Sequence, residues 1–227
     1  MAQHSVREPR NAAVIFDLDG VLIDSEGLQY QAYAQVLGRF GVTVTRAEYA
    51  AQWIGAGRGP EYAVAAYALP LAPDELRALK APVYRALLHD NLQLMPGARA
   101  ALTRLQPHYR LALATNSDRQ EVDYVLSRLA LTDCFMAVVA RQDYARRKPE
   151  PDAFVTAAAR LGVAPPSCLV VEDAYRGVVA GRRAGAVVAA VPNEWTRGQD
   201  FSLAAVVLDS LDALTAACVA RLLAAPA

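Results

Sequence analysis

The sequence predicts an α/β protein in which a parallel β-sheet is interrupted once by an all-helical insertion. Short apolar runs rich in β-branched residues recur along the chain, as expected for strands that are buried on both faces of a parallel sheet. Segments with helical spacing lie between these runs and complete repeated βα units. The stretch 25–95 breaks this rhythm, because it contains several helical segments and no convincing strand.

The predicted elements of the sheet follow one another along the chain. Strands are predicted at 12–16 (AAVIF), 111–114 (LALA), 136–140 (MAVVA), 168–171 (CLVV) and 187–191 (VVAAV), with a last edge strand near 204–207 (AAVV). Helices are expected at 119–130 and 151–161, and Ser210 is the expected N-cap of a final helix that ends near Leu223. Together these elements predict a Rossmann-like core with a parallel sheet.

The insertion is predicted to be a small helical domain that lies over the strand ends. Its helices are expected at 26–39, 45–53, 60–68 and 73–89, and Pro82 is expected to kink or interrupt the last of them. A chain of 227 residues is long enough for a core with one such insertion. The predicted domains are therefore a Rossmann-like core at 1–24 and 94–227 and a helical cap domain at 25–93.

Composition and charge argue against several classes of protein. The 23 basic and 23 acidic side chains give a net charge of zero, and no basic stripe stands out, so neither nucleic acid nor an anionic membrane is an expected partner. The chain contains no long apolar run, and its start, MAQHSVREPRN, does not resemble a secretory signal. Three scattered cysteines are typical of a reduced, cytoplasmic protein, and the three histidines lack the spacing of zinc ligands. We expect a monomer.

Polar side chains follow four of the predicted strands, where ligands bind in open α/β sheets. These positions hold Asp17 and Asp19, then Thr115, Asn116 and Ser117, then at some distance Lys148, and finally Glu172 and Asp173. Each group alone has an ordinary structural interpretation, as an Asx turn, a helix N-cap or a solvated cluster of charges. Their order at the ends of strands in one sheet favours a common site.

The charges at these positions predict a divalent cation. Three carboxylates (Asp17, Glu172 and Asp173), with Asp19 as a fourth when ionised, face only one ammonium group, that of Lys148. Carboxylates a few ångströms apart repel by about 4 kcal/mol at an effective dielectric constant near 20. Because all the ligands are oxygens, they favour Mg²⁺ over zinc. With Mg²⁺ bound and Asp19 protonated the local charges cancel, so that a phosphate dianion can enter and Asp19 can protonate a leaving alkoxide.

Four segments resemble the motifs of the haloacid dehalogenase superfamily, in particular its phosphatase and β-phosphoglucomutase-like branch. They are DLDGVLIDSE, ATNS, KPEPDAF and VVEDAYRGVVAGRRAG, and the helical insertion is similar in type and position to the cap of that branch. The resemblance covers nearly the whole chain. It implies a Mg²⁺-dependent phosphatase that acts on a small phosphomonoester, such as a sugar or related metabolite phosphate.

The resemblance also implies a role for each residue of these motifs. Asp17 would be the nucleophile that forms an aspartyl-phosphate, and Asp19 would protonate the leaving group, activate water and offer a backbone carbonyl to Mg²⁺. Thr115 and the Asn116 amide would hold the transferring phosphoryl group, and Lys148 would neutralise its oxygens. Asp173 would be a metal ligand, with Glu172 beside it as a further ligand or a supporting group.

Two arginines outside these motifs are candidate substrate contacts. Arg58 lies in the glycine-rich cap segment WIGAGRGPEY, where the alternative is an exposed arginine on a turn, and Arg119 follows the second motif. Trp195 either rims the site or covers the edge of the core. Gln29 stands where mutase relatives, and many phosphatases of this branch, carry histidine. In the mutase-like members that histidine helps to hold the acid/base aspartate away until substrate binds, so its absence favours a phosphatase over the alternative, a sugar phosphomutase of the β-phosphoglucomutase type. A non-catalytic binding or regulatory module is the third alternative.

Overall fold

The computed structural model describes residues 11–225 and shows one parallel six-stranded sheet with the strand order β3-β2-β1-β4-β5-β6. The strands are β1 (Ala13–Phe16), β2 (Arg110–Ala114), β3 (Ala137–Val139), β4 (Cys168–Glu172), β5 (Val187–Ala190) and β6 (Val206–Val207). All six predicted strands are confirmed. The strand order changes direction at β1, so β1 lies between β2 and β4 in the middle of the sheet.

Nine α-helices surround and interrupt this sheet in the described part of the chain. They are α1 (Glu26–Gly38), α2 (Arg46–Tyr49), α3 (Gly59–Ala66), α4 (Pro73–Asn91), α5 (Ala98–Leu105), α6 (Arg119–Arg128), α7 (Asp152–Leu161), α8 (Tyr175–Arg183) and α9 (Ala216–Ala224). A π-helix (Ala50–Gly55) follows α2, and short 3₁₀ helices occur at Thr132–Cys134, Arg141–Asp143, Pro165–Ser167 and Leu211–Ala213.

The sheet is buried on both faces, as its continuous apolar strands predict. Alternate residues of β1 point to opposite sides, so Val14 and Phe16 pack in one hydrophobic cluster and Ala13 and Ile15 in another. Helices α5, α6 and α9 contribute to the first cluster, and α7 and α8 to the second. This layered packing fixes the carboxyl ends of the central strands relative to one another.

Helices α1 to α4, which we call the helical insertion, lie between β1 and β2 and have a hydrophobic cluster of their own. Its centre is aromatic: the Tyr49 and Trp53 rings are stacked with centroids 5.4 Å apart. The chain enters and leaves the insertion through two paired segments, where the Asp24 amide donates to the Gln93 carbonyl (3.0 Å) and the Met95 amide to the Leu22 carbonyl (2.9 Å). These two hydrogen bonds join the segment that enters the insertion to the segment that leaves it.

Three expectations about helices need correction. Pro82 does not interrupt α4, which runs unbroken from Pro73 to Asn91, because Leu76, Tyr84 and Leu88 are buried on both sides of the proline and hold the helix together. The predicted helix at 45–53 is an α-helix only as far as Tyr49 and then widens into the π-helix. Ser210 caps a 3₁₀ turn by accepting from the Asp212 amide (3.2 Å), and the final α-helix begins after Thr215, whose hydroxyl accepts from the Cys218 amide (3.1 Å).

Two observations concern the remaining expectations about the chain. Within residues 11–225, no helix combines the length and the apolar character that crossing a membrane requires. The expectation drawn from the N-terminal segment falls mainly on residues 1–10, which lie outside the described part of the protein.

Candidate active site

The carboxyl ends of β1, β2 and β4 bring the candidate catalytic residues to one edge of the sheet. Parallel pairing sets Phe16 beside both Leu113 and Val171, so the residues that follow the three strands leave the sheet at the same level. The Asp17 amide donates to the Val171 carbonyl (3.0 Å), and the Thr115 amide donates to the Val139 carbonyl (3.0 Å). The backbone therefore holds Asp17 and Thr115 in place before any side-chain contact is made.

Lys148 lies at the centre of this edge, although it comes from the loop after β3. Its ammonium group is buried and donates to Asp17 Oδ1 (2.5 Å), Glu172 Oε1 (2.7 Å) and the Ala114 carbonyl (2.9 Å). The Phe154 ring lies 4.5 Å from Nζ and closes one side. Burial acts against the charged form, but the two carboxylates outweigh it and raise the pKa of Lys148 above its usual range. The lysine is thus a fixed positive charge.

Asp17, Glu172 and Asp173 form a buried cluster of carboxylates that one lysine does not neutralise. One oxygen from each lies within 4.8 Å of the others. Burial raises the pKa of Asp17 to about 8, because removal from water and the nearby carboxylates outweigh the effect of Lys148. Burial, followed by repulsion from Glu172 and Asp17, raises the pKa of Asp173 well above its usual range. The cluster therefore has the donor atoms and the excess negative charge of a site for a hard divalent cation.

Both carboxylate oxygens of Glu172 already have hydrogen-bond partners in the protein. Besides the ion pair with Lys148, its Oε2 accepts from the backbone amides of Asp173 (3.1 Å) and Ala174 (3.4 Å). Gly177 of α8 lies directly against this carboxylate, and a Cβ built there would overlap it. The close approach of α8 thus depends on a glycine, and Glu172 acts as the support of Lys148 more than as a free ligand.

Asp19 reaches the same cavity from the turn after β1. Its carboxylate accepts from two hydroxyl groups, Ser25 Oγ on Oδ1 (2.5 Å) and Ser117 Oγ on Oδ2 (2.5 Å). Ser25 comes from the start of the helical insertion and Ser117 from the loop after β2, so the carboxyl is held from both sides. This arrangement gives Asp19 a defined orientation beside Asp17 without an ion pair.

Thr115 and Asn116, which follow β2, line the same cavity as Asp173. The Thr115 hydroxyl accepts from the Ser117 amide (3.0 Å), and Asn116 Oδ1 accepts from the Tyr144 hydroxyl (2.7 Å) and from the Lys148 amide (3.3 Å). Tyr144 also donates to the Thr115 carbonyl (2.8 Å). These bonds fix the loop after β2 against the segment that carries Lys148.

Two cavities meet at this edge of the sheet. The smaller, about 140 Å³, is lined by Asp17, Asp19, Glu26, Ile54, Thr115, Asn116, Lys148, Glu172, Asp173, Ala174, Arg176 and Gly177. The larger, about 620 Å³, lies between α4 of the helical insertion and α6 of the core, with Lys80, Tyr84, Ser117 and Glu121 in its lining. Asn116 lines both. The small cavity has the size of an inorganic group, and the large one has room for an organic group attached to it.

Comparison with known families decides the class of protein. Residues 14–191 match the family described as haloacid dehalogenase-like hydrolase. The chain belongs to this family. The resemblance inferred from the four motifs is thereby confirmed, and the match includes the helical insertion.

Several haloacid dehalogenase-like proteins are similar over most of the chain. Hexitol phosphatase B of Escherichia coli (strain K12) is 31% identical over 210 residues, covering 90% of this chain and 94% of that protein. The bifunctional riboflavin kinase/FMN phosphatase of Arabidopsis thaliana is 32% identical over 213 residues; the match covers 88% of this chain and only 54% of that longer protein. The crystal structure of a putative β-phosphoglucomutase from Thermotoga maritima has a TM-score of 0.71 at 26% identity, covering 89% of this chain and 96% of that one.

The two arginines predicted to contact substrate are placed differently from the other predicted residues of this hydrolase. Arg58 is exposed at the start of α3, beside the glycine-rich loop. The Arg119 guanidinium pairs with Asp143 and also donates to the Val138 carbonyl (3.1 Å). Arg119 is thus held against the end of β3, and the structure does not bring it into the lining of the two cavities.

Several residues that the sequence analysis did not select contribute to the site. Asn193 Nδ2 donates to Asp173 Oδ2 (2.8 Å) and to the Gly20 carbonyl (3.2 Å). Asn193 therefore orients the Asp173 carboxylate. Because Asn193 follows β5, the strand-end rule could have found it. Lys80 and Glu121 had no such signal, since helical spacing does not say which faces of two distant helices meet. Trp195 does not rim the site but packs into the aromatic cluster of the helical insertion.

Proposed function

We propose that this protein is a Mg²⁺-dependent phosphatase that hydrolyses a small phosphomonoester through an aspartyl-phosphate on Asp17. The observation that carries the proposal is the contact of Asp17 with the fixed charge of Lys148 inside a cluster of buried carboxylates, with a second aspartate, Asp19, facing the same small cavity. The phosphatase names of the relatives, hexitol phosphatase B among them, support this choice of reaction.

The residues present fit a magnesium ion. Three buried carboxylates against one ammonium group leave an excess negative charge, and every donor is oxygen. Asp17, Asp173 and the backbone carbonyl of Asp19 would hold the ion, while Glu172 remains bound to Lys148 and two backbone amides. The ion would offset the carboxylate charge and polarise a phosphoryl oxygen. A phosphate dianion can enter this site only when that negative charge is offset.

The protein's own residues would carry out the group transfer. An Asp17 oxygen would attack phosphorus while the bond to the leaving oxygen breaks, and the carboxyl of Asp19 would supply the proton to that oxygen. Lys148 would offset charge on the phosphoryl oxygens, and Thr115 with the Asn116 amide would hold them on the opposite side. Asp19 would then take a proton from water as that water attacks the aspartyl-phosphate, which releases inorganic phosphate and restores Asp17.

The larger cavity is the proposed place of the leaving group. Lys80 of α4 and Glu121 of α6 both line it and both contact Tyr84: Lys80 Nζ lies 4.0 Å from the Tyr84 ring centroid, and the Tyr84 hydroxyl donates to Glu121 Oε1 (3.3 Å). A cavity lining with both an ammonium donor and a carboxyl group, whose pKa burial raises to about 7, suits hydroxyl groups, which donate and accept hydrogen bonds. This chemistry supports a sugar or related polyhydroxylated metabolite as the organic part of the substrate.

Domain organisation and assembly belong to the same proposal. We propose that residues 25–93 form a cap whose closure over the core at 1–24 and 94–227 excludes bulk water and positions the leaving group. Arg58, which is exposed beside Gly57, would contact substrate only if its side chain turns into the small cavity. The protein would act as a cytoplasmic monomer, which light scattering of the purified protein tests.

A phosphate-release screen tests the proposed reaction. We expect Mg²⁺-dependent release of phosphate from one or more sugar or polyol phosphates, loss of release with a chelator, and no turnover by Asp17→Asn. Asp133→Asn, which changes an exposed aspartate far from the site, is the matched control and should keep wild-type turnover. Wild-type turnover by Asp17→Asn on the best substrate would contradict the mechanism.

A phosphomutase of the β-phosphoglucomutase type is the second candidate, because the T. maritima structure with that putative name has the same fold. A mutase would return an isomerised sugar phosphate and need a bisphosphate primer, whereas a phosphatase releases inorganic phosphate. Gln29, which stands where mutase relatives carry histidine, lines the larger cavity. The hydroxyls of Ser25 and Ser117 hold Asp19 in this structure. Phosphorus NMR of the products distinguishes the two reactions. A binding or regulatory module would show neither turnover nor metal binding across the whole panel.

A further inference from the structure

Arg176 borders the small cavity from the first turn of α8, and none of the roles described above uses it. Its guanidinium is half-buried, and Nη2 donates to the backbone carbonyl of Lys148. Among the residues that the structure describes, no carboxylate forms an ion pair with this guanidinium. A half-buried cation is therefore bound to the backbone of the central lysine without a counter-charge of its own.

The other side of the guanidinium is covered by the helical insertion. Gly57, in the loop between the π-helix and α3, lies so close that a Cβ built there would overlap Arg176 Nη1 and Cζ. Gly57 also has a φ of +62°, which glycine adopts readily. The loop backbone thus lies directly on the arginine, in a way that a side chain at this position would prevent.

These two contacts place Arg176 between the insertion and the catalytic lysine. One terminal nitrogen is bound to the Lys148 carbonyl, and the other lies against Gly57. With Nη2 bound to the Lys148 carbonyl and Nη1 packed against Gly57, the guanidinium lies between two backbone segments. The Lys148 side chain, 2.5 Å from Asp17, begins at the residue whose carbonyl Arg176 holds.

We propose that Arg176 is a positioning residue for Lys148, and that the Gly57 loop holds the arginine in place when the helical insertion lies against the core. The role of Lys148 in turnover rests on the proposed phosphatase function. The contact connects the position of the insertion to the position of the lysine, so that the charge beside Asp17 is correctly placed only when the loop is seated.

A double-mutant cycle, in which the turnover of two single variants is compared with that of the double variant, tests this connection. Arg176→Ala removes the bond to the Lys148 carbonyl, and Gly57→Ala displaces the guanidinium. We expect each to lower kcat about tenfold, which corresponds to about 1.4 kcal/mol in the barrier, with KM changed less than twofold. The double variant should be no slower than the slower single variant, because both changes remove the same connection.

Gly41→Ala is the matched control. Gly41 also has a positive φ (+74°), but a Cβ there would meet no atom within 4 Å, so alanine brings the same backbone strain without the clash. Its kcat should stay within twofold of the wild type. Losses that multiply to about a hundredfold in the double variant would overturn the proposal. So would a raised KM and a weaker inhibition by inorganic phosphate at unchanged kcat, because Arg176 would then bind the phosphoryl group itself.

Hydrogen exchange separates this proposal from the proposed function. Arg176→Ala should speed amide exchange in the segment 50–58, and Gly57→Ala should speed it in the segment 146–150, whereas Gly41→Ala should change neither. If exchange in both segments stays at the wild-type rate, the connection is refuted whatever the turnover. If the wild type hydrolyses no phosphoester, the phosphatase function fails, and the exchange result still decides whether the insertion and the Lys148 segment are coupled.

Discussion

Asp173→Asn should stabilise the metal-free protein while abolishing its response to Mg²⁺. Asp173 Oδ lies within 4.8 Å of oxygens of both Asp17 and Glu172, and Lys148, the cation that pairs with this cluster in the described part of the chain, is bound to those two residues. Asp173 therefore experiences repulsion that Lys148 offsets only in part. Asparagine removes the charge and keeps the shape, and its side-chain oxygen can still accept the hydrogen bond from Asn193.

The magnitude follows from these distances. At 4.8 Å and an effective dielectric constant of about 20, two like charges repel by about 3 kcal/mol. Lys148 largely neutralises Glu172, so Asp173 is repelled by about one net negative charge. Partial protonation of the cluster reduces this repulsion. We therefore expect Asp173→Asn to raise the free energy of unfolding by about 2 kcal/mol at pH 8 in a chelator. For a chain of this size, that corresponds to a rise in Tm of about 4–8 °C.

Thermal unfolding in chelator and in Mg²⁺ measures both halves of the prediction. Mg²⁺ should raise the Tm of the wild type, because binding only to the folded state stabilises it, and should leave the variant unchanged. Asp133→Asn removes an exposed aspartate and should match the wild type in both conditions. A variant that melts below the wild type in chelator, or that keeps the wild-type response to Mg²⁺, would refute the assignment of Asp173 as an electrostatically strained metal ligand.

Three further predictions concern the other carboxylates. Asp19→Asn should lower kcat by about 10²–10⁴-fold with little change in KM, because it removes the proton donor, and phosphate-release kinetics measure this loss. Glu121→Gln should lower kcat/KM for a hexitol or sugar phosphate about tenfold, while hydrolysis of 4-nitrophenyl phosphate, which has no such hydroxyls, stays within threefold. Burial raises the pKa of Glu26 from 4.5 to about 7, so Glu26 destabilises the fold as pH rises from 4.5 to 7, and Glu26→Gln should raise Tm at pH 8 but not at pH 4.

Each of these results has a contrary outcome. Unchanged turnover of Asp19→Asn would leave no proton donor in the proposed mechanism. An equal loss on both substrates in Glu121→Gln would mean that Glu121 supports the site as a whole and does not select hydroxyl groups. Glu48→Gln is the opposite-sign control for Glu26, because hydrogen bonds from tyrosine hydroxyls hold the pKa of Glu48 below its ordinary value, and its replacement should lower Tm at pH 8. Equal changes in the Tm of Glu26→Gln at pH 4 and at pH 8 would contradict the argument that burial raises the pKa of Glu26.

The sheet could be predicted almost completely because its strands are buried on both faces. Runs such as CLVV and VVAAV have no polar alternation, and a parallel sheet with helices on both sides is the arrangement that buries them. Helix boundaries depend on packing between residues that are distant in the sequence, and a local pattern does not contain that information. Pro82 is tolerated inside α4 because buried side chains before and after it hold the helix, and no local pattern around the proline reveals those contacts.

The centre of the site could be predicted because the carboxyl ends of neighbouring parallel strands meet. This rule places Asp17, Thr115, Glu172 and Asp173 together, and the structure brings them to one cavity. The rule does not reach Lys80 and Glu121, which lie on helices of the insertion and the core and meet only through the packing of one on the other. Arg176 was missed for a related reason: it lies against the loop at Gly57, which is far away in the sequence, and no local pattern reveals that contact.

The loop after β5 gives the helical insertion a second connection to the site. Asn193 orients Asp173, and its Oδ1 accepts from the Trp195 amide (2.8 Å). The Trp195 ring lies within the aromatic cluster of the insertion, 5.6 Å from the Tyr30 ring and 4.0 Å from the Arg46 guanidinium. A movement of the insertion that carries Trp195 with it must therefore act on Asn193, two residues away. Lys148 is thus one hydrogen bond, and Asp173 two, from a residue that touches the insertion. A movement of the insertion would therefore act on both the cation and a carboxylate of the cluster, and so on the charge that a phosphate meets.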